Sequence, residues 1–488
     1  MIEKEKLVKI VGAGNVSYEQ ATLDKYSRDM SFVNSIRPAC VVKPRDAEAV
    51  KRLVNLANET LTPLVSVSSG PPHFRGDTVP GIGGAVVVDL SGMKKVVRVD
   101  RYRRVAMVEA GVTFEELIPE VEKEGLRLNI PLLPRKSKSV VASILEREPL
   151  TMPKYQWDIS DPLACLEVIF GTGDEFRTGQ AAGPGSIDEQ WAVGGLQKAP
   201  YGPGTASWHR VIQGSQGTMG IVTWASMRCE ILPKLEEPFL VGSPHLDRLV
   251  DLSHWLVRLS LANECFILNR SALAAIMAKK WPVDYRELKD SLSPWVLFFN
   301  LAGYDYFPED RVSYQIKNVR EITQRIGVDP VKAVGGVSAN DLLKVARRPS
   351  AEPYWKLRYK GACEDVFFLT IYDKLAGLIG VMNDLADKAG YPASDMGIYI
   401  QPVVQGTSCH CEFNLFYDPD NQGEADRVKG LSASAVKSLM AAGAFFSRPY
   451  GESARTIINR DAATVSMLNK LKKIFDPNNV MNPGKICF

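Results

Sequence analysis

PLVSVSSGPPHFRGDTVPGIGGAVVVD, residues 63–89, decides how the rest of the chain reads. Leu64, Val65 and Val67 open it as an apolar strand, and residues 85–88 close it as a second, β-branched one. Between them Ser68, Ser69, Gly70, Pro71, Pro72, His73, Phe74, Arg75 and Gly76 leave few side chains in the way of the backbone. Such a loop can turn successive N–H groups toward a diphosphate, because glycine and serine permit close approach and positive φ. The same composition also reads as a plain Gly/Pro turn.

Upstream, residues 40–42 form a short strand, Lys43-Pro44 stops it, and Asp46 caps a helix over 46–59. Val50, Leu53, Val54 and Ala57 share one face of that helix. Strand, helix and strand make an α+β unit, preceded by a helical preamble over 1–36. Downstream, residues 96–99 and 105–109 alternate as strands around a charged turn, and a helix is expected over 114–124. A strand-like apolar segment, 126–133, then leads to a second small-residue crossing at 137–145. A hairpin follows (167–170 with 175–178), then a long, poorly periodic loop at 179–204. GSQGTMGIVT, residues 214–223, is a second place where backbone can approach a ligand closely. After Pro233 the composition shifts, and helices (246–262, 309–326) alternate with strands (295–302, 366–372, 397–404, 408–417). A last helix, 468–475, ends in turn residues.

At 488 residues the chain exceeds one core and suggests two or three domains. Its 59 basic and 56 acidic residues nearly cancel, which argues against a dedicated nucleic-acid surface. No apolar run approaches a membrane span, and MIEKEKLVKI places charges where a signal peptide needs apolar residues, so a cytoplasmic location is expected. The eight cysteines form no C-x-x-C pair or ferredoxin-like run. Reduced thiols, and no iron–sulfur cluster, follow.

The order of four motifs is more specific than any one of them. Residues 63–89, VEAGVTFEEL (108–117), GSQGTMGIVT (214–223) and FDPNNVMNPGK (475–485) together resemble the FAD-linked oxidase family with its PCMH-type FAD-binding domain. SILERE (143–148), LEVIFGTGDEFRTG (166–179) and PYGPG (200–204) are similar to the vanillyl-alcohol oxidase and p-cresol methylhydroxylase branch. The resemblance implies an α+β fold: an FAD-binding domain over 1–238 with its core at about 36–235, a cap domain with an antiparallel sheet over 239–435, and a return to the FAD domain over 436–488. It implies that residues 68–76 hold the pyrophosphate, that Ser139 to Ser143 pass close to the flavin, and that Gly217, Gly220 and Ile221 hold another part of the cofactor.

The same resemblance supplies candidate chemistry. An aspartate lies near the flavin's reactive nitrogen in that branch, and Asp158 in KYQWDISDP matches it; a turn cap is the plainer reading of the same residue. The branch binds a phenolate with one arginine and two tyrosines. Arg448 matches the arginine, but the tyrosine positions hold Ser447 and Arg75, with Tyr450 two residues beyond Arg448. Two arginines favour a more strongly anionic substrate such as a carboxylate, unless either is engaged in a surface salt bridge. Asp365, in GACEDVFFLT, occupies the place where relatives link FAD covalently, so dissociable FAD is expected, with His73 as the rival attachment point. His410 and Glu412 share a strand face without the second histidine that metal-dependent relatives carry, so no metal is expected. His410 reads either as a pocket residue or as a satisfied strand histidine, and Tyr399 and Gln401 are weaker candidates. The expectation is an FAD-dependent dehydrogenase acting on a CH–OH or activated benzylic CH group of a small anionic substrate. Electrons would pass to a separate acceptor protein, and the chain would be a homodimer or a subunit of a redox complex. The rivals are an electron-relay subunit and a metal-assisted 2-hydroxy-acid dehydrogenase.

Overall fold

The computed structural model describes residues 2–154, 161–182, 185–192 and 208–488. Three sheets organise it. The first has the strand order Val16–Ser17, Cys40–Val42, Val86–Asp89, Leu64–Val67, the last three parallel. Parallel strands need a crossover, and the Ala47–Thr60 helix provides it. Asp46 accepts a hydrogen bond from Ala49 N at 2.7 Å, and Val50, Leu53, Val54 and Ala57 are all buried against this sheet. Along Val86–Asp89 the period of two divides the side chains between cores. Val86 and Val88 join the helix side, and Val87 packs with Val41, Val65 and Val67 on the other.

The second sheet is antiparallel and centres on the long strand Gly220–Ile231, flanked by Val105–Glu109 and Leu163–Phe170. The helix Phe114–Lys123 covers it, started by a capping box between Thr113 and Glu116. The third sheet has six strands in the order Leu235–Ser243, Trp295–Gly303, Cys265–Asn269, Gly397–Val403, Ser408–Tyr417, Ala362–Ile371, every neighbour antiparallel. In Ser408–Tyr417 the expected alternation holds: Cys409, Cys411, Phe413 and Leu415 enter one core, and His410, Glu412 and Asn414 face the opposite way.

After this sheet the chain returns to the first. Leu64 N donates to Val480 O at 2.7 Å and Asn482 N to Leu64 O at 2.8 Å. The buried Lys472 ammonium ties the last helix down through Thr218 O (2.6 Å), Asp476 Oδ2 (2.6 Å) and Met481 O (2.8 Å).

Some expected elements differ. The strand expected over 126–133 is only Leu126–Leu128, and the proline-bearing remainder lines a cleft instead. The last helix begins at Ala462, where Asp461 accepts from the N–H groups of Ala463 and Thr464. The expected loop at 179–204 contains the helix Ile187–Ala192; residues 193–204, PYGPG among them, lie outside the described residues. The third sheet takes its first strand from Leu235, slightly ahead of the expected start of the cap at 239.

Candidate active site

A cleft of about 1590 Å³ is bounded by residues 66–78, 131–149, 212–222 and, from the third sheet and the chain's return, by Tyr399, Glu412, Arg448 and Tyr450. At one end, Ser68, Ser69, His73, Phe74 and Arg75 have main-chain N–H groups with no partner among the described residues, as do Gln216 and Gly217. Unpartnered N–H groups facing a cleft are costly unless an acceptor meets them, and a diphosphate is such an acceptor. Gly217 has φ +71°, and a Cβ there would stand 2.7 Å from Ser66 Oγ, so the backbone approaches as only glycine permits.

The two loops are fixed from outside. Gly70 N donates to Ser137 O (2.9 Å), and Arg135 Nη1 donates to Gly70 O (2.9 Å). Gly76 N donates to Asp29 Oδ2 (2.6 Å). Asn482 Nδ2 bridges them, donating to Asp77 O (2.9 Å) and Gln216 O (2.7 Å). His73 is buried with Nε2 unpartnered, and burial beside Arg135 and Lys138 lowers its pKa to about 3, so it is neutral. These features fit the anionic, hydrogen-bond-accepting part of FAD.

The other end is crowded with charge. Arg75 lies 3.3 Å from both Glu146 Oε2 and Glu148 Oε1, and Lys138 Nζ meets Glu146 Oε1 at 2.5 Å. Lys356, on a short turn absent from the sequence reading, is buried between two carboxylates, 2.5 Å from Asp365 Oδ2 and 2.5 Å from Glu412 Oε1. Asn414 Nδ2 donates to both, at 2.7 Å each. Against the cost of burial, its two anions hold the Lys356 ammonium well above its usual range. Against the cost of burial, Lys356 and His410 hold Glu412 well below the carboxylate range, and burial raises Asp365. His410 Nε2 is 3.3 Å from Glu412 Oε2, and burial lowers its pKa to about 4. The ring is therefore neutral, with Nε2 as the donor.

Arg448 differs from the other buried cations. Its Nη1 and Nη2 are both buried and unpartnered, and its guanidinium stacks 4.4 Å from the Phe367 ring centroid. Burial next to Arg75 lowers its pKa to about 10, which leaves it charged at neutral pH. It also lines a smaller chamber of about 520 Å³, with His410 and the apolar side chains of Ile144, Leu150, Leu369 and Val403.

The expected residues therefore divide. Ser68, Ser69, His73, Phe74, Arg75, Gly217, Gly220, Asp365, Arg448 and Tyr450 line the main cleft, and His410 lines the chamber. Gly70, Pro71, Pro72 and Gly76 shape the loop from behind. Three of the expected residues have their side chains engaged within the protein. Ser139 Oγ donates to Ala110 O (2.5 Å) and caps the helix Val140–Leu145; Ser143 Oγ donates to Glu148 Oε2 (2.5 Å); Ile221 is core. The crossing reaches the cleft through Lys138, Val141 and Ala142 instead. Arg75 does not offer a free charge, because two glutamates already answer it. Neither arginine makes a surface salt bridge. Asp158 lies outside the described residues.

Residues 38–179 match the FAD binding domain family and residues 267–486 match the C-terminal domain of FAD-linked oxidases. The chain belongs to the FAD-linked oxidases and is an FAD-dependent oxidoreductase. Among its relatives, the glycolate oxidase subunit GlcD of Bacillus subtilis is 22% identical, over 99% of this chain and 96% of that protein. The 4-cresol dehydrogenase [hydroxylating] flavoprotein subunit of Pseudomonas putida is 20% identical, over 99% and 94%. The structure of p-cresol methylhydroxylase with substrate bound superposes with a TM-score of 0.85 at 19% identity, covering 99% of this chain and 96% of that one. No helix among the described residues is long and apolar enough to cross a membrane.

Proposed function

We propose that the protein is a dehydrogenase that oxidises a CH–OH or activated benzylic CH group of a small substrate carrying one carboxylate or phenolate. The observation behind this reading is the unpaired, buried guanidinium of Arg448 where the cleft meets an apolar chamber. A buried cation without a partner is unfavourable, and a substrate anion relieves it bidentately. Relatives that act on glycolate, D-lactate and 4-cresol bracket this class.

FAD, when bound, supplies the two-electron acceptor for a hydride leaving the substrate carbon. The chain's own residues do the rest. Residues 68–75 and 216–217 would hold the phosphates, and Arg448 orients the substrate by its charge. The apolar side of the chamber, Ile144, Leu150, Leu369 and Val403, excludes water there, which strengthens that contact. His410, neutral and oriented by Glu412, can accept the proton of a substrate hydroxyl, and the imidazolium formed is stabilised by Glu412. From the family resemblance, Asp158 is assigned a second proton-managing role, the FAD is assigned as dissociable, and the electrons are assigned to a separate acceptor protein. The domain limits proposed are 1–238, 239–435 and 436–488.

The test is anaerobic flavin bleaching by a panel of 2-hydroxy acids, 4-alkylphenols and hydroxybenzyl carboxylates. At least one anionic member should bleach the wild type, and Arg448→Ala should keep its FAD yet lose at least about a hundredfold in reduction rate, near 3 kcal/mol. Unchanged reduction would remove Arg448 from the site. Acid precipitation should leave the yellow colour in the supernatant; a yellow pellet would show a covalent link.

A further inference from the structure

Beyond Phe367 a second cavity, of about 1370 Å³, opens between residues 31–33, the helix Gln422–Ala441 and residues 446–457. It shares Phe74, Arg75, Asp365, Arg448 and Tyr450 with the main cleft. The Phe367 ring lines it, with Arg448 at 4.4 Å and Arg75 at 5.0 Å from the ring centroid. Arg448 thus borders all three hollows. The chamber beside it sets Ile144, Leu150, Leu369 and Val403 against Arg147, Glu148, His410 and Ser447.

The charges facing the second cavity are unevenly answered. From the helix, exposed Lys429 and Lys437 line it and make no ion pair among the described residues. From the strand Ala362–Ile371 come Glu364 and Asp365; Asp365 is answered by Lys356, and Glu364 accepts from Ser432 Oγ at 3.0 Å. Burial, with Asp365 and Asp29 nearby, raises the Glu364 pKa to about 7, so its charge is incomplete at neutral pH. Asp29 is itself engaged by Ser31 and by Gly76 N. Glu452 is the remaining carboxylate. Three unpaired cations, Lys429, Lys437 and Arg448, therefore outweigh Glu452 and a partly protonated Glu364.

We propose that this cavity is the vestibule through which a small carboxylate reaches Arg448, with Lys429 and Lys437 drawing it in and Phe367 as the wall it must pass. The assignment rests on Arg448 being the substrate's charge partner. Cations at the mouth of a low-dielectric funnel raise the capture rate of an anion and do little to its residence.

The experiment uses the FAD-loaded protein and benzoate, a non-reacting carboxylate, with binding followed by stopped-flow change in flavin absorbance. The paired substitution Lys429→Glu/Lys437→Glu, on an exposed helix face, should slow association about tenfold at low ionic strength. The difference should close in high salt, dissociation should be unchanged, and benzamide, which is neutral, should bind both proteins at one rate. Lys429→Gln/Lys437→Gln should fall between. Binding that is lost in Arg448→Ala but indifferent to the lysine charges would overturn the vestibule and leave the Arg448 reading standing. Failure of the wild type to bind benzoate would overturn the Arg448 reading, and the vestibule with it.

Discussion

Lys356 holds two carboxylates, Asp365 and Glu412, in a buried site where either alone would resist ionisation. Substituting Lys356→Met removes the counter-charge and keeps the bulk, so two carboxylates are left to repel one another. The expected cost is about 3–5 kcal/mol, read as a lower unfolding midpoint. Glu412 should then titrate at higher pH, so the acidic limb of the rate profile should move upward; an unmoved limb would separate Glu412 from the chemistry. Nothing local marks Lys356 in WKLRYK, because its partners sit on two different strands, one nine residues on and the other 56. The motif resemblance singles out Arg448, but that its charge is free while that of Arg75 is not depends on where Glu146 and Glu148 fold.

Among the elements, the six-residue helix Val140–Leu145 carries the crossing into the cleft. Six residues are too few for a helix to persist unaided, and Ser139 secures it by accepting from Ala142 N (3.0 Å) while donating to Ala110 O (2.5 Å). Ser139→Ala should cost about 1–2 kcal/mol in urea unfolding. It should also weaken FAD retention, since Val141 and Ala142 lose their placement; loss of stability with unaltered FAD affinity would show that the helix does not position the cofactor. The resemblance puts Ser139 near the flavin, and its capping role is not visible in the sequence, because a serine before an apolar run fits both. The strand Ser408–Tyr417 was legible throughout, since its period of two assigns faces without reference to any partner.

Over the whole molecule, a buried charge cluster joins the second sheet to the third. Glu264, with no exposed surface, accepts from Arg127 Nη2, from Arg347 Nε (2.9 Å) and Nη2 (2.8 Å), and from Asn300 Nδ2 (2.9 Å). Against the cost of burial, the two arginines lower its pKa to about 2. A carboxylate depressed in the folded state stabilises fully above its unfolded value of about 4.3; the contribution fades as pH falls from there toward 2. Glu264→Ala leaves Arg127 without its carboxylate and Arg347 with Glu236 alone, and should cost about 3–5 kcal/mol at pH 7. The wild-type advantage should shrink below about pH 4 in thermal melts; an advantage that held constant to pH 2 would mean that Glu264 is not ionised in the fold.

The sequence by itself determined the alternation of strands and helices, the two close-approach loops and, through the order of its motifs, the FAD-linked family, because periodicity, capping and glycine placement act over a few residues. Only the tertiary structure decided which arginine is free, which lysine neutralises the paired carboxylates, and that three hollows meet at Arg448. Those are differences between charges brought together from distant segments, and a buried charge takes its state from whatever stands within a few ångströms of it in space.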